Sequence, residues 1–275
     1  MHATTRRLLV LAALGATLPF PLAAQRSAQS DADWLDNCRN NSWNDDRGRA
    51  CEVRDVPVRL SGRSLEIDGR QNGSIRVQAW DGDAVKVTGR LQANAQSDAD
   101  AQALLKDIHI ESDGRRISAD APNDRGYRTG WSASYVVMVP RRFDLTLDAN
   151  NGSLSVDGVS GKLDLRTTNG SVTLNDVGGD VHARTQNGSV NVQLAGKSWD
   201  GEGLDAVTQN GSVRLAVPES YAATLETGTV NGRINTDIPI TVQGRISRQL
   251  SVPLNGGGRT IRAMTTNGSV RISRR

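Results

Sequence analysis

Asp164, His182 and Asp205 each stand five residues ahead of an Asn-Gly pair, and they lie 18 and 23 positions apart. Two carboxylates bracketing an imidazole could do general acid–base work or hold a metal ion, provided that stacked strands bring them about 5 Å apart. That would suit a β-helix carbohydrate-active enzyme, a polysaccharide lyase or hydrolase. Arg166 and Arg184 sit beside this file, and its fourth member is Arg262. The competing reading is a charged ladder on a solvated strand, where an exposed ion pair contributes about 0–1 kcal/mol. The Ser after each Asn-Gly, as in Ser171 and Ser189, could suggest a nucleophile. Its repetition from unit to unit argues for a structural task.

A second set of residues could bind a ligand. Lys197–Gly203 and Glu219–Tyr221 interrupt two successive repeats at the same corner. Insertions in repeat proteins gather on one face, often the binding face. Trp199 and Tyr221 could form a platform for a sugar ring, with Asp200, Glu202 and Glu219 as polar partners. The alternative is that the two aromatics fold back over the apolar edge of the stack. No cofactor and no metal is expected. The calcium-binding nonapeptide is missing from the repeats, and the Asn-Gly-Ser triplets serve corner geometry, not glycosylation.

The element that must position both sets is the repeat itself. Asn-Gly recurs at Asn151, Asn169, Asn187, Asn210, Asn231 and Asn267, with a base interval of 18 residues. Apolar residues alternate on either side, as in Leu163/Leu165 before Asn169 and Val172/Leu174 after it. Period-two alternation marks half-buried strands. Its parity shifts across Asn-Gly, so the dipeptide should turn a corner, where Asn and Gly tolerate a positive φ. A second corner is expected at Gly161, Gly178-Gly179 and Gly196. Gln249–Leu254 follows Asn231 at the base interval and aligns with Asn169–Leu174 as an eroded unit.

Two strands and two corners cannot bury their own apolar face, but stacked units can, with columns of Asn, Ser and Thr. The fold expected is therefore all-β, a parallel β-solenoid or β-helix with coils of about 18 residues. Asn-Gly is also the strongest short hairpin signal. Hairpins, however, would not require a Thr two residues before nearly every Asn.

The regular repeats occupy residues 149–275. Residues 52–148 read as irregular β coils that cap the stack, with strands at Ser74–Trp80, Ala84–Leu91, Asp107–Glu111, Arg116–Ala119 and Trp131–Val139. Ser97 should cap one short helix there, with Ala101, Leu104, Leu105 and Ile108 on its apolar side. Residues 25–51, rich in Asn, Asp and Ser, should form an extended arm tied by a Cys38–Cys51 disulfide. A metal or redox pair would need CxxC spacing or a nearby His. Trp34 and Trp43 in this arm should cap the stack.

Residues 1–24 have the pattern of a secretory signal peptide. Arg6-Arg7 precede an apolar run, and small residues end at Ala24. Removal of Arg6 and Arg7 takes the net charge from +3 to +1, which leaves no footprint for nucleic acid. No run in the mature chain is apolar enough to span a membrane. Only 4% of residues are aromatic while 28 are Gly, a balance that suits thin cores and many turns.

Val85-Lys86-Val87-Thr88-Gly89, then Val136-Val137-Met138-Val139-Pro140, then Asn-Gly-Ser units joined by Val-x-Gly together resemble the bacterial "putative adhesin" family of β-strand-repeat proteins. The resemblance runs from about Val53 to the C-terminus. It implies an extracytoplasmic location, right-handed β-helix character and a surface or binding role, and it offers no catalytic residues. Asn231-Gly232-Arg233 departs from the pattern. The resulting expectation is an exported, non-enzymatic envelope protein of the periplasm or cell surface. Its partner would be an envelope polysaccharide or another envelope protein, and the enzyme is the alternative.

Overall fold

The structure, a computed structural model, describes residues 30–40, 47–121, 129–238 and 249–275. The expected leader at 1–24 and Trp43 lie outside the described residues. Alternating sequence becomes alternating burial: Leu163, Leu165, Val172, Leu174, Val181 and Ala183 are fully buried. Residues of two ten-stranded sheets join one apolar cluster.

In the first sheet, Gly48–Val56, Lys86–Ala95 and Gly130–Pro140 pair antiparallel. Ile75–Trp80 then joins in parallel, followed by Leu154–Asp157, Val172–Asn175, Val190–Gln193, Val213–Val217, Val270–Arg274 and Ile234–Thr236. In the second sheet, Arg116–Asp120, Ser64–Asp68, Asp144–Ala149, Ser160–Thr167, Gly178–Asn187, Gly203–Asn210, Thr260–Asn267 and Ala223–Asn231 run parallel. His109–Ser112 and Gln249–Leu254 close its two ends antiparallel. Both sheets are thus mixed and open. Their long central parts are parallel, and Val172, Val190 and Val213 lie in one register.

The rungs do not follow chain order. The last repeat, Thr260–Arg274, slots between the repeat at 203–217 and the one at 223–236. Gln249–Leu254 therefore does not form the eroded unit that its spacing suggests. It runs antiparallel beside Ala223–Asn231 at the edge of the second sheet. Pro253, which has no N–H to donate, is tolerated on such an edge.

At the Asn-Gly corner the carboxamides form a chain. Asn151 donates to Asn72, Asn169 to Asn151, Asn187 to Asn169, Asn210 to Asn187, Asn267 to Asn210 and Asn231 to Asn267, at 2.7–3.1 Å. Behind them, the hydroxyls of Thr167, Thr185 and Thr208 donate to the carbonyls of Gly152, Gly170 and Gly188 at 2.7–2.8 Å. The backbone N–H groups of Ser171 and Ser189 donate to the hydroxyls of Ser153 and Ser171 at 3.3 Å.

Positive φ is not the reason for this corner, contrary to expectation. None of the ladder asparagines has a positive φ, nor do Gly152, Gly170, Gly188, Gly211 and Gly232; among the glycines that follow them only Gly268 does, at 156°. A Cβ on Gly170 would instead collide with the carbonyl oxygen of Gly152, and one on Gly188 with that of Gly170. Left-handed backbone occurs at the other corner, at the equivalent positions Gly158 (φ 70°) and Asp176 (φ 54°).

Two helices are present where one was expected. Helix α1 (Asp31–Asn40) replaces the extended arm. Its acids Asp31 and Asp33 lie in the first turn and Arg39 in the last, complementing the helix dipole. The Cys38–Cys51 disulfide, with Cα atoms 6.4 Å apart, ties it to Gly48–Val56. Trp34 lies 5.8 Å from the Arg90 guanidinium. Helix α2 (Asp98–Lys106) starts at Ser97, whose hydroxyl accepts from the Asp100 N–H at 3.2 Å, and it buries Ala101, Leu104 and Leu105.

Urea unfolding should separate these contributions. Gly188→Ala should cost about 3 kcal/mol or more, because backbone cannot yield; loss of both cysteines should cost about 3 kcal/mol; Ser97→Ala should cost about 1 kcal/mol. A Gly188→Ala variant as stable as the parent would refute the close-approach account.

Candidate functional site

Parallel register brings the charged file together. Asp164 lies beside His182, His182 beside Asp205, Asp205 beside Arg262 and Arg262 beside Glu226. In the other direction the file continues through Thr146 and Glu66 to Arg116. These side chains leave the outer face because their neighbours Leu163, Leu165, Val181 and Ala183 take the inner one.

The carboxylates are already engaged. Asp205 accepts from Arg184 Nη2 at 2.8 Å and from Arg262 Nη1 at 2.7 Å, with its side chain 19% exposed. Asp164 accepts from Arg166 Nη2 at 2.5 Å. His182 Nε2 is 3.2 Å from Asp180 Oδ1, while its Nδ1 is 3.9 Å from Asp205. Charge-assisted bonds to two guanidiniums occupy both oxygens of Asp205, and these would have to break before it could take a proton or bind a metal. Two atoms of the file remain buried without a hydrogen-bond partner, Asp164 Oδ1 and His182 Nδ1.

The neighbouring file holds a residue that the sequence reading passed over. Asp148 lies in register with Asp68 on one side and Arg166 on the other. Burial pushes its carboxyl above the usual carboxylate value; Arg166 pulls it down, and Asp164, Asp68 and Glu66 push it further up. Asp148 lines an open groove of about 580 Å³ with Arg166, Arg184, Thr168, Gln186 and Gln209. The alternation Leu145-x-Leu147-x-Ala149 is the signal that would have aligned Asp148 with Arg166. Asn72, the first member of the asparagine chain, belongs to Asn72-Gly73-Ser74-Ile75-Arg76-Val77, which already carries the repeat signature in the sequence.

The two insertions do meet. Ser198 and Ala222 form a parallel bridge, and the Ala222 N–H donates to the Lys197 carbonyl at 2.7 Å. The aromatic platform does not form, because Trp199 is 6% exposed and Tyr221 1%. Trp199 Nε1 donates to the Gly179 carbonyl at 2.9 Å, so the ring closes the core at the corner instead of facing solvent. Burial pushes the Tyr221 phenol up to about 12. Asp200 stays exposed, while Glu202 and Glu219 pair with Arg259 at 3.4 Å and Arg274 at 3.1 Å. Among the described residues, no group of three His, Cys, Asp or Glu is placed to hold a metal ion.

Residues 141–273 match the model of the Toastrack family, DUF4097. The match spans the repeats, and the resemblance read from the sequence stands at that level. Solved structures with limited likeness include a putative cell adhesion protein from Clostridium sporogenes, 13% identical, with TM-score 0.40 over 82% of this chain and 100% of that one. A putative adhesin from Bacteroides fragilis is 13% identical, with TM-score 0.38 over 82% and 97% of the two chains. Another from Parabacteroides distasonis is 10% identical, with TM-score 0.37 over 81% and 97%. No curated protein matches the chain.

The raised Asp148 carboxyl has a pH signature. Below the ordinary carboxylate value both folded and unfolded chains are protonated there, and the group contributes nothing. As pH rises from that value through the raised folded one, ionisation is penalised only in the folded state, so stability falls. Asp148→Asn should therefore melt higher than the parent at pH 7, and the difference should shrink as pH falls below the ordinary range. Equal melting temperatures at every pH would contradict the burial of this carboxyl.

Proposed function

We propose that this Toastrack-domain protein is an exported, non-enzymatic binding or structural protein of the cell envelope. In this reading the parallel ladders make a β-solenoid of 149–275, residues 52–148 cap one end, the disulfide-tied segment 25–51 braces it, and a leader at 1–24 is removed. The observation that carries it is the internal neutralisation of the Asp164–His182–Asp205 file, with Asp205 held by Arg184 and Arg262 at 2.8 and 2.7 Å. The Cys38–Cys51 disulfide supports an oxidising compartment, the periplasm or cell surface. Polar, periodic outer faces support contact with an envelope polysaccharide or another envelope protein. No described helix is long and apolar enough to cross a membrane.

A second reading is favoured by one observation, the unpartnered buried atoms Asp164 Oδ1 and His182 Nδ1 in adjacent rungs. It makes Asp164, His182 and Asp205 the catalytic set of a carbohydrate-active enzyme.

Two experiments discriminate. The exported protein should begin at Gln25 on N-terminal sequencing and co-sediment with envelope fragments; an unprocessed chain confined to the cytosol would refute the first reading. Combined Asp164→Ala, His182→Ala and Asp205→Ala should leave that co-sedimentation within about twofold, whereas loss of a measured polysaccharide turnover would establish the second reading.

A further inference from the structure

The outer faces of the two sheets treat charge differently. On the second sheet Arg116, Arg166, Arg184 and Arg262 each bond a carboxylate. On the first sheet the central outward file runs Arg76, Ser155, Thr173, Asn191, Arg214 and Arg271, one residue per strand in continuous register. No acid interrupts it.

Arg214 and Arg271 are direct cross-strand neighbours, and both are exposed. Like charges placed opposite one another on adjacent strands are destabilising. Among the described residues, little relieves this pair. Arg214 donates to the neutral carboxamide of Asn191 at 3.2 Å, and Arg271 reaches only the exposed Asp237 at 3.3 Å. The Arg76 guanidinium, four strands away in the same file, makes no hydrogen bond or ion pair among the described residues. A local rule broken with only one exposed ion pair to offset it points to a partner outside the fold.

We propose that this file is the docking strip for a linear polysaccharide bearing carboxylates. The inference rests on the binding reading above and narrows it to one face and one polymer class. Planar guanidiniums bind carboxylates through two parallel hydrogen bonds, which suits the Arg214–Arg271 pair to acidic groups along a chain. Ser155, Thr173 and Asn191 offer hydroxyl and carboxamide groups to sugar hydroxyls. Stacked strands present one such side chain roughly every 4.8 Å, about one for each sugar of an extended glycan.

The test is affinity electrophoresis of the full exported chain through gels containing polygalacturonate, with neutral dextran as control. The parent should be retarded by polygalacturonate and not by dextran, and salt should weaken the retardation. Arg214→Gln with Arg271→Gln should lower the affinity at least about tenfold. Arg115→Gln with Arg141→Gln, which removes the same charge elsewhere, should leave it within about twofold. Circular dichroism melts confirm that both variants fold. Equal losses in the two double variants would overturn the inference, as would retardation by dextran alone or capture only by phosphatidylglycerol vesicles. A chain that ignores polygalacturonate but still sediments with envelope fragments refutes this inference and leaves the binding reading intact. Failure in both assays would remove the two together.

Discussion

The repeats depend on how closely one rung's backbone lies upon the next at the Asn-Gly corner. Glycine carbonyls press against the glycines of neighbouring rungs at a distance that leaves no room for a Cβ. That contact brings the flanking asparagines within reach of one another. A carboxamide both donates and accepts, so it can pass a hydrogen bond from rung to rung; a carboxylate could only accept. All six bonds point the same way along the stack, which lets them polarise one another. The buried threonines secure the glycine carbonyls from behind. Register at the corner then fixes register along each strand, because a slip of one residue would turn every buried Val and Leu to solvent.

This constraint also determines what the molecule offers to its surroundings. Identical spacing repeated through parallel strands converts single residues of the sequence into files on two broad faces. One file collects acids, arginines and a histidine that pair with one another, leaving Asp164 Oδ1 and His182 Nδ1 unpartnered. Its counterpart on the opposite face collects arginines, hydroxyls and carboxamides with little internal compensation. The corner bearing the insertions is filled instead by Trp199 and Tyr221, whose burial seals the core where the rung lengthens.

Much of the strand content was legible, because alternation such as Val172-x-Leu174 and Leu163-x-Leu165 reports a buried face directly. The helix at Ser97 was legible for the same kind of reason, a capping residue followed by a spaced apolar side. Direction was not. Leu250-x-Val252-x-Leu254 has the right period for either sheet, and period two carries no information about parallel or antiparallel pairing. Spacing alone also hid the exchange of the last two repeats, since both end in the same Asn-Gly. The role of Gly at the corner was misjudged because close approach and positive φ demand the same residue. Trp199 and Tyr221 looked available only because insertions are polar overall, and nothing local reveals that a loop will fold inward. Helix α1 was obscured by polar composition, although Asp31, Asp33 and Arg39 were placed to favour it.

Rung-to-rung register can be measured by cysteine cross-linking. Thr173 and Asn191 are register partners on adjacent parallel strands. Thr173→Cys with Asn191→Cys should form a disulfide on mild oxidation, mapped by mass spectrometry with the native Cys38–Cys51 bond intact. Thr173→Cys with Gln193→Cys, two positions off register and beyond the ~7 Å that a disulfide can bridge, should stay reduced. Preferential cross-linking of the off-register pair, or equal cross-linking of both, would contradict the stacked-rung account.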